Sequence, residues 1–400
     1  MVSEGIGKGI FFLANIYLAR VLGVKNYGLF TFAMSLTYYF WLAVDLGTNL
    51  YGIREIARHK NDIEAIINPL LTMRITAGIL VFLFYLAVVW SIDIPKVNKL
   101  VFTGCGMYLI TYSFYPDWIF KGLEQFRFIA YAGLSSSLTF ILVIITMVSL
   151  KQDVALAAFL WSLSYLVGSI LLFYLLLKKQ SIKIRPVFGV KIWRFHLKES
   201  LFFMLSGSLM MIYQNFPIII LAIFFGDYEI GIFSAPYRII TFITSFGFLL
   251  SMAIYPVFTE IYVSNRALFY KAHRYYRFSM FAIGLVLCLL SIFAAKYIIF
   301  YLLGSAYKAS IKIYSILSLL IPLALLRFSF GSIILATGYH RYHFLGALSG
   351  LLVMLTVSIF FLSKYSVIGC AYTILSGEAT ILFVLFLISY YTFLQKAIYN

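Results

Sequence analysis

The sequence predicts an all-α integral membrane protein with about twelve transmembrane helices in two six-helix lobes. Its composition is the first observation: hydrophobic residues make up 63% of the 400 residues, charged residues only 11%, and the mean hydropathy is +0.98. These values lie far outside the range of soluble globular proteins. The spacing of the apolar segments and a near-repeat at the midpoint of the chain are the second and third observations.

The apolar segments fix the number of helices. A membrane-spanning helix needs roughly 20 largely apolar residues, because its backbone N–H and C=O groups find no partner in lipid and must bond within the helix. Almost no sequence is left over for a soluble domain. We predict helices at 3–22, 29–50, 72–92, 98–116, 128–149, 154–177, 200–225, 231–258, 276–303, 312–337, 343–363 and 367–392.

A basic stretch at 178–199 divides these helices into two sets. It contains seven Lys or Arg and one Glu. We predict an N-terminal lobe at 1–177, a basic cytoplasmic linker at 178–199 and a C-terminal lobe at 200–400. Each lobe has six spans, an even number, so both lobes enter the membrane with the same orientation, as a parallel pseudo-repeat.

A near-repeat supports this division. Gly23, Gly28 and Phe30 reappear 203 residues later as Gly226, Gly231 and Phe233. Both motifs fall between the first and second predicted helix of a lobe. Glycines allow a chain to reverse where side chains would crowd, so the repeat predicts equivalent short outer turns.

The positive charges predict the orientation. The net charge of +17 is distributed by loop: one set of alternate loops, with both termini, holds 19 Lys or Arg, and the opposite set holds 8. The positive-inside rule places the basic loops and both termini in the cytoplasm. We therefore expect a multi-pass protein of the inner or plasma membrane whose cations contact anionic lipid, not nucleic acid.

Residue patterns of enzymes and cofactor sites are absent from the sequence. It has no Walker A loop, Rossmann glycine fingerprint, G-x-S-x-G elbow or HExxH. Cys105, Cys288 and Cys370 fall inside apolar spans, and no acid or thiol lies near the pair His340 and His343. We expect a transporter with no cofactor and no metal, not an enzyme. Two parallel lobes flanking a polar path predict alternating access of that path to each side.

The amino-terminal segment shows no cleavable signal peptide. The first span begins almost at Met1 without a basic lead. We expect the natural chain to begin a few residues upstream.

Several segments resemble a known family. YLARVLGVKNYGLFTFAMS (17–35), REIAR (54–58), YPDWIFKGLEQF (115–126) and GIFSAPYRI (231–239) are similar to the polysaccharide translocases, the O-antigen and lipid-linked oligosaccharide flippases. This family shares a superfamily with the multidrug and toxin extrusion antiporters and the lipid II flippases. The resemblance implies transfer of a polyprenyl-pyrophosphate-linked oligosaccharide across the cytoplasmic membrane for cell-surface polysaccharide biosynthesis.

Such a substrate needs a polar cationic path, because moving sugar hydroxyls and a diphosphate through hydrocarbon is costly. Ionisable residues inside predicted spans are the candidates for this path. Arg238, Arg327 and Arg20 are the candidate pyrophosphate ligands, since guanidinium offers a planar bidentate fork. For Arg238 and Arg20 the alternative is an anchor at the membrane interface. Among the many aromatic residues, Tyr38, Tyr39 and Trp41 are the candidate sugar contacts.

Acidic residues supply the other candidates. Glu378 and Asp45 are the intramembrane acids and the candidate sites for a coupling H+ or Na+, the alternative being a structural partner to Arg. The cytoplasmic helix ends hold candidates for ion pairs that close an inner gate, the alternative being ordinary surface pairing. These gate candidates are Arg54, Glu55, Arg58, Asp117 and Glu124.

Two alternative functions stay open at this point. One is a cation-coupled multidrug or small-molecule antiporter of the same fold. The other, from a different class, is a membrane glycosyltransferase or polymerase.

Overall fold

The computed structural model describes residues 2–59, 62–179, 182–338 and 340–398, which are helical and contain no strand. They form two compact units, and the first runs from Val2 to Ala222. The helices that begin in the first unit are α1 Val2–Asp45, α2 Thr48–Arg58, α3 Ile63–Ser91, α4 Lys96–Gly106, α5 Tyr108–Thr111, α6 Asp117–Gly122, α7 Phe126–Met147, α8 Val154–Lys179 and α9 Val190–Phe224.

The second compact unit begins at Ile223. Its central helix is α14, because the apolar segment that contains it is 72% buried, the largest share of any spanning segment described. α14 packs against α10, α11 and α16. The helices of this unit are α10 Asp227–Ser264, α11 Arg266–Phe293, α12 Ala295–Leu303, α13 Ser310–Leu317, α14 Leu320–Ala336, α15 His340–Tyr365 and α16 Val367–Ile398.

The all-α membrane class is confirmed. Within the described residues, nine helices are long and apolar enough to cross a membrane, and 208–224 is a shorter apolar helix. The count falls below twelve for three reasons, and the first is that this shorter helix stands in place of the predicted span at 200–225. The predicted spans at 3–22 and 29–50 are joined in α1, and the span at 98–116 is divided into the shorter α4 and α5. The lobes at 1–177 and 200–400, with the linker at 178–199, stay a prediction.

The repeated glycines mark helix breaks with different backbone geometry. Gly23 interrupts α1 with φ 72° and ψ 174°, a conformation that is essentially restricted to glycine. Gly226 separates α9 from α10 with φ −100°, which any residue adopts. Gly28 and Gly231 lie inside helices instead. The predicted turns therefore depend on one glycine each, and only Gly23 needs to be glycine.

In the first unit, α2 and α6 pack closely against each other. A Cβ on Gly52 of α2 would lie 2.5 Å from the Trp118 ring of α6, and one on Gly122 would lie 2.8 Å from Ile56. Trp118 is 1% exposed and Ile56 is fully buried. The tryptophan and glycine of the PDWIFKGLE segment therefore fit α6 against α2.

A second close approach fixes the corner between α1 and α2. Gly47 has φ +76°, and a Cβ there would lie 2.2 Å from the carbonyl oxygen of Ser200 and 2.5 Å from the backbone nitrogen of Met204. Both atoms belong to the backbone of α9, which cannot move aside as a side chain can. The corner is thus fitted directly against α9, within the first unit.

Candidate functional site

The second unit contains a buried ion pair in its interior. Arg327 of α14 donates from Nε to Oε2 of Glu378 on α16 at 2.7 Å, and each side chain is 9% exposed. The Arg327 guanidinium also lies over the Phe328 ring, 4.4 Å from its centroid. A candidate anion ligand and a candidate cation site are therefore bonded to each other. A buried pair of this kind is costly to break from one side only, because the remaining charge is left without compensation.

Tyr237 connects this pair to α10. Its ring is buried, and it interacts electrostatically with Glu378, Arg327 and Arg238. Arg238 is half-buried on the same helix. The structure therefore brings three sequence-predicted residues, Arg238, Arg327 and Glu378, into one neighbourhood of the second unit.

The first unit holds a second buried cation, Arg74 of α3. Arg74 is one of the 19 Lys or Arg that were assigned to the basic loops from the sequence, and this assignment is wrong: α3 begins at Ile63, and the Arg74 side chain is 1% exposed. Its Nη1 lies 3.9 Å from Oδ1 of Asp45. Asp45, a predicted coupling site, therefore has a structural partner, which is the alternative that the sequence left open.

The Arg74 guanidinium is held mainly by aromatic faces. It lies 4.9 Å from the ring centroid of Trp41 and 5.8 Å from that of Tyr112. None of its three nitrogens makes a hydrogen bond among the described residues. Because a guanidinium is planar and weakly hydrated, it can be held in this way where an ammonium cannot.

Four rings stack next to Arg74, and we call them the aromatic stack: Trp161, Tyr108, Tyr112 and Tyr115. Successive centroids are 5.0, 4.9 and 5.1 Å apart, with interplanar angles of 11°, 15° and 8°. Tyr38 of α1 meets Tyr108 edge-on at 5.5 Å, as offset aromatic pairs prefer. Two of the predicted sugar contacts, Tyr38 and Trp41, thus touch the aromatic stack. Tyr39 donates instead to the carbonyl of Ile212 at 3.1 Å.

Asp117 at the start of α6 is buried and pairs with Lys121 one turn later. It also lies close enough to Asp45 for the two carboxylates to interact. Asp45, Arg74, Asp117 and Lys121 therefore form one group of two acids and two bases, whose formal charges cancel. Such a neutral group needs no further counter-ion while all four members are charged.

The remaining predicted residues lie at the surface or pair locally. Arg54 donates from Nε to Oε1 of Glu55, its neighbour in sequence, at 2.8 Å. Arg58 is exposed near the end of α2, and Glu124 is exposed with φ 60° just after α6. Arg20 is exposed on α1, three residues before Gly23. Their gate and anion-binding roles stay predictions.

His196 of α9 forms a polar contact with α2. Its Nδ1 lies 3.1 Å from the Tyr51 hydroxyl, and the imidazole is buried. Burial lowers the pKa of His196 below its ordinary value, and the charge of Glu55 offsets part of this effect. Burial in turn raises the pKa of Tyr51. The contact therefore favours a neutral imidazole.

We expect the stability of the first unit to fall on acidification through His196. The unfolded imidazole takes up a proton near pH 6.5 and the folded one only at lower pH. The contribution is therefore complete above about pH 6.5 and is lost as pH falls through the lowered folded pKa. Melting temperatures of the purified protein between pH 8 and 5 should decline less steeply in His196→Asn than in wild type.

The matched control for this prediction is His59→Asn. The His59 side chain is 59% exposed, so this variant should follow the wild-type profile. Parallel profiles for wild type and His196→Asn would contradict the prediction.

Two features of the candidate site, the aromatic stack and the buried Arg74, were not predicted from the sequence. The aromatic stack was missed because only Tyr38, Tyr39 and Trp41 were singled out among the aromatic residues. Tyr108, Tyr112 and Tyr115 recur at helical spacing, which was the available signal. Arg74 was missed because the third span was placed too late. Within the described residues, no group of three or more His, Cys, Asp or Glu could hold a metal ion.

Comparisons with known proteins find matches over most of the chain. The profile of the family described as "Polysaccharide biosynthesis protein" matches residues 1–262. The "Putative O-antigen transporter" of Escherichia coli (strain K12) is 24% identical over 376 residues, which cover 91% of this chain and 89% of that protein.

Solved structures share the fold. A multidrug resistance MATE family transporter of the MOP superfamily, in an inward-facing conformation, superposes with a TM-score of 0.74 at 17% identity, covering 95% of this chain and 93% of that one. The lipid II flippase MurJ, in an inward closed conformation, superposes with a TM-score of 0.72 at 16% identity, covering 97% and 87%. The fold is therefore that of a known class of membrane transporters.

Proposed function

Because the chain belongs to the polysaccharide biosynthesis protein family, we propose that it is a flippase for polyprenyl-pyrophosphate-linked oligosaccharide. It would move this lipid across the cytoplasmic membrane, with both termini in the cytoplasm, for assembly of a cell-surface polysaccharide. The match to the family over residues 1–262 is the observation that carries the proposal. The E. coli relative adds support over 91% of the chain.

The fold by itself does not choose between substrates, since it is shared by an efflux transporter and a flippase. The side chains in the interior of the second unit give further information about the substrate. Residues with cationic side chains, Arg327 and Arg238, lie in the second unit, where a diphosphate could be bound by charge-assisted hydrogen bonds. Cationic drugs would be repelled by such groups.

Arg327 and Glu378 link anion binding to cation binding. While Glu378 is charged, Arg327 is held by it, and a phosphate has to compete with the carboxylate. When Glu378 takes up H+ or Na+, its attraction for Arg327 falls and the guanidinium is free to bind phosphate. Binding of the substrate and binding of the coupling cation then favour each other, because coupling between two binding sites is reciprocal.

Other residues have supporting roles in this proposal. Arg238 binds the same diphosphate as Arg327, and Arg20 attracts the head group beside the break at Gly23 in α1. Asp45 is a second cation site, whose proton affinity depends on Arg74. Arg54, Glu55, Arg58, Asp117 and Glu124 form the cytoplasmic gate. The protein breaks no covalent bond of its substrate and is not an enzyme.

We expect purified protein in liposomes to transfer a fluorescent undecaprenyl-diphosphate oligosaccharide between leaflets, as measured by quenching of the outer leaflet with a membrane-impermeant reductant. Arg238→Gln should slow this transfer about tenfold or more, because hydrogen bonds to charged groups are worth about 1.5–3 kcal/mol each. The control is Arg266→Gln, which removes an exposed arginine of α11 and should transfer the lipid at the wild-type rate.

The alternatives give different results. Export of cationic dyes without lipid transfer would indicate an antiporter and overturn the proposal. Elongation of the oligosaccharide would indicate a polymerase. Wild-type rates in Arg238→Gln would remove that residue from the anion site while leaving the flippase proposal in place.

A further inference from the structure

A groove runs along the second unit between α11, α14 and α16. Its volume is about 500 Å³, within the range of ligand pockets, and its walls are almost entirely apolar. The lining residues are Arg274, Arg277, Phe278, Phe281, Leu323, Leu326, Phe330, Ala379, Leu382, Phe383 and Phe386. Phe330 is 4% exposed and forms the floor, whereas Phe278 and Phe383 are 72% and 60% exposed at the rims.

Two arginines stand at one end of this groove. Arg274 and Arg277 are one turn apart on α11, and like charges at this spacing repel each other. The Arg277 guanidinium lies over the Phe330 ring, 5.0 Å from its centroid, and its Nε is buried with no hydrogen-bond partner. Among the residues that the structure describes, no ion pair joins either arginine to a carboxylate. The end of the groove is therefore complementary to an anion.

The groove lies next to the buried ion pair on the same two helices. Leu326 and Ala379 line the groove, and their sequence neighbours Arg327 and Glu378 form the ion pair. From Phe386 to Ala379 the groove follows α16 over seven residues, roughly 10 Å. An occupant of the groove would therefore extend from the two arginines to the level of the ion pair.

We propose that this groove binds one polyprenyl chain of the lipid-linked substrate, with the diphosphate of the same molecule on Arg274 and Arg277. The inference rests on the proposed function. The site is a loading position in the cytoplasmic leaflet, from which the head group passes to Arg238 and Arg327 while the tail stays on the lipid-facing side of α14 and α16.

The shape and charge favour this lipid over a phospholipid. One groove takes one chain, and a polyprenyl diphosphate has one chain, whereas a phospholipid has two. Two arginines offer two planar forks, which match two linked phosphate groups. The apolar walls bury methyl-branched hydrocarbon without leaving a polar group unpaired.

The test is photolabelling of the full chain in nanodiscs with geranylgeranyl diphosphate that carries a diazirine in its last isoprene unit. We expect wild-type labelling on peptides of α11, α14 and α16. The variant Arg274→Gln/Arg277→Gln should lose about tenfold or more of this labelling, because it removes two charged donors. Ala379→Phe should lose a similar share by filling the groove. Ala379 is exposed, so its replacement does not require repacking of the interior.

Two controls match these variants. Arg266→Gln removes a charge from the same helix outside the groove, and Ala87→Phe adds the same side chain at an exposed position of α3. Both should label as wild type. Any one of three results would overturn the inference. Labelling could spread evenly over the lipid-facing helices, it could persist in both groove variants, or phosphatidylglycerol could compete equally for it.

The lipid-transfer assay separates this inference from the proposed function. If wild type transfers the lipid-linked oligosaccharide but the groove is not labelled, the loading site is wrong and the flippase stands. If the groove is labelled but no transfer occurs, the flippase is wrong and the groove is a prenyl diphosphate site of another kind.

Discussion

Replacing Arg327 by methionine is expected to abolish lipid transfer and to lower the free energy of unfolding by about 3–5 kcal/mol, the usual cost of removing one partner of a buried ion pair. Glu378 would keep a charge in a site where its side chain is 9% exposed and where its partner was 2.7 Å away. Glu378→Met should be similarly destabilised, since it leaves the guanidinium of Arg327 uncompensated. Stability is measured by denaturant titration in mixed micelles, and transfer in liposomes.

The double variant Arg327→Met/Glu378→Met separates stability from function. It removes both charges together, so its stability should return most of the way to the wild-type value. Its transfer activity should remain lost, because no guanidinium is left to bind phosphate. If the double variant transfers lipid at the wild-type rate, the pair is a structural element only. If its destabilisation equals the sum of the single effects, the two residues are not energetically coupled.

Replacing Arg74 by methionine is the second change with a large expected effect. Asp45 would lose its cation, and the rings of Trp41 and Tyr112 would lose the guanidinium that lies over them. We expect a loss of about 3–5 kcal/mol in the free energy of unfolding. The stability of Arg74→Lys should lie between those of wild type and Arg74→Met, since an ammonium keeps the charge but lacks the planar surface that stacks on a ring. The measurement is the same titration.

Two further variants check this reasoning. Arg74→Met/Asp45→Asn removes both charges and should recover part of the stability lost in Arg74→Met. Arg58→Gln removes an exposed arginine of α2 and should change stability by no more than about 0.5 kcal/mol. A loss in Arg58→Gln as large as that in Arg74→Met would show that the effect comes from net charge and not from the buried contacts.

The fold class was predictable because apolar segments of this length must form helices in a bilayer, where their backbone polar groups can bond only within the segment. The predicted spans fall on helices, and the family resemblance identified from the PDWIFKGLE and REIAR segments is confirmed. Helix breaks were harder to predict. The break at Gly23 needs no loop at all, so two predicted spans form one continuous element, and a hydropathy pattern contains no sign of that geometry.

The site was only partly predictable, for a physical reason. An ionisable residue inside an apolar segment stands out in a sequence, because placing a charge in the membrane is energetically costly. Arg327, Glu378 and Asp45 were identified in this way. Their pairing could not be read from the sequence, since Arg327 and Glu378 lie 51 residues apart and meet only when α14 packs on α16. Arg74 lay at the very start of the predicted span at 72–92 and was counted with the loop cations, whereas the helix begins at Ile63, so its burial was not recognised.

The fit of Gly47 against the backbone of α9 has a consequence for synthesis of the protein. Helices of a membrane protein emerge from the ribosome in order, and a unit can complete its packing only when its last member has emerged. For the first unit that member is α9, the surface on which the corner between α1 and α2 rests. A gene divided at the basic stretch would therefore give an amino-terminal fragment with an uncovered corner, whereas division near Gly226 would give two fragments that each contain a complete unit.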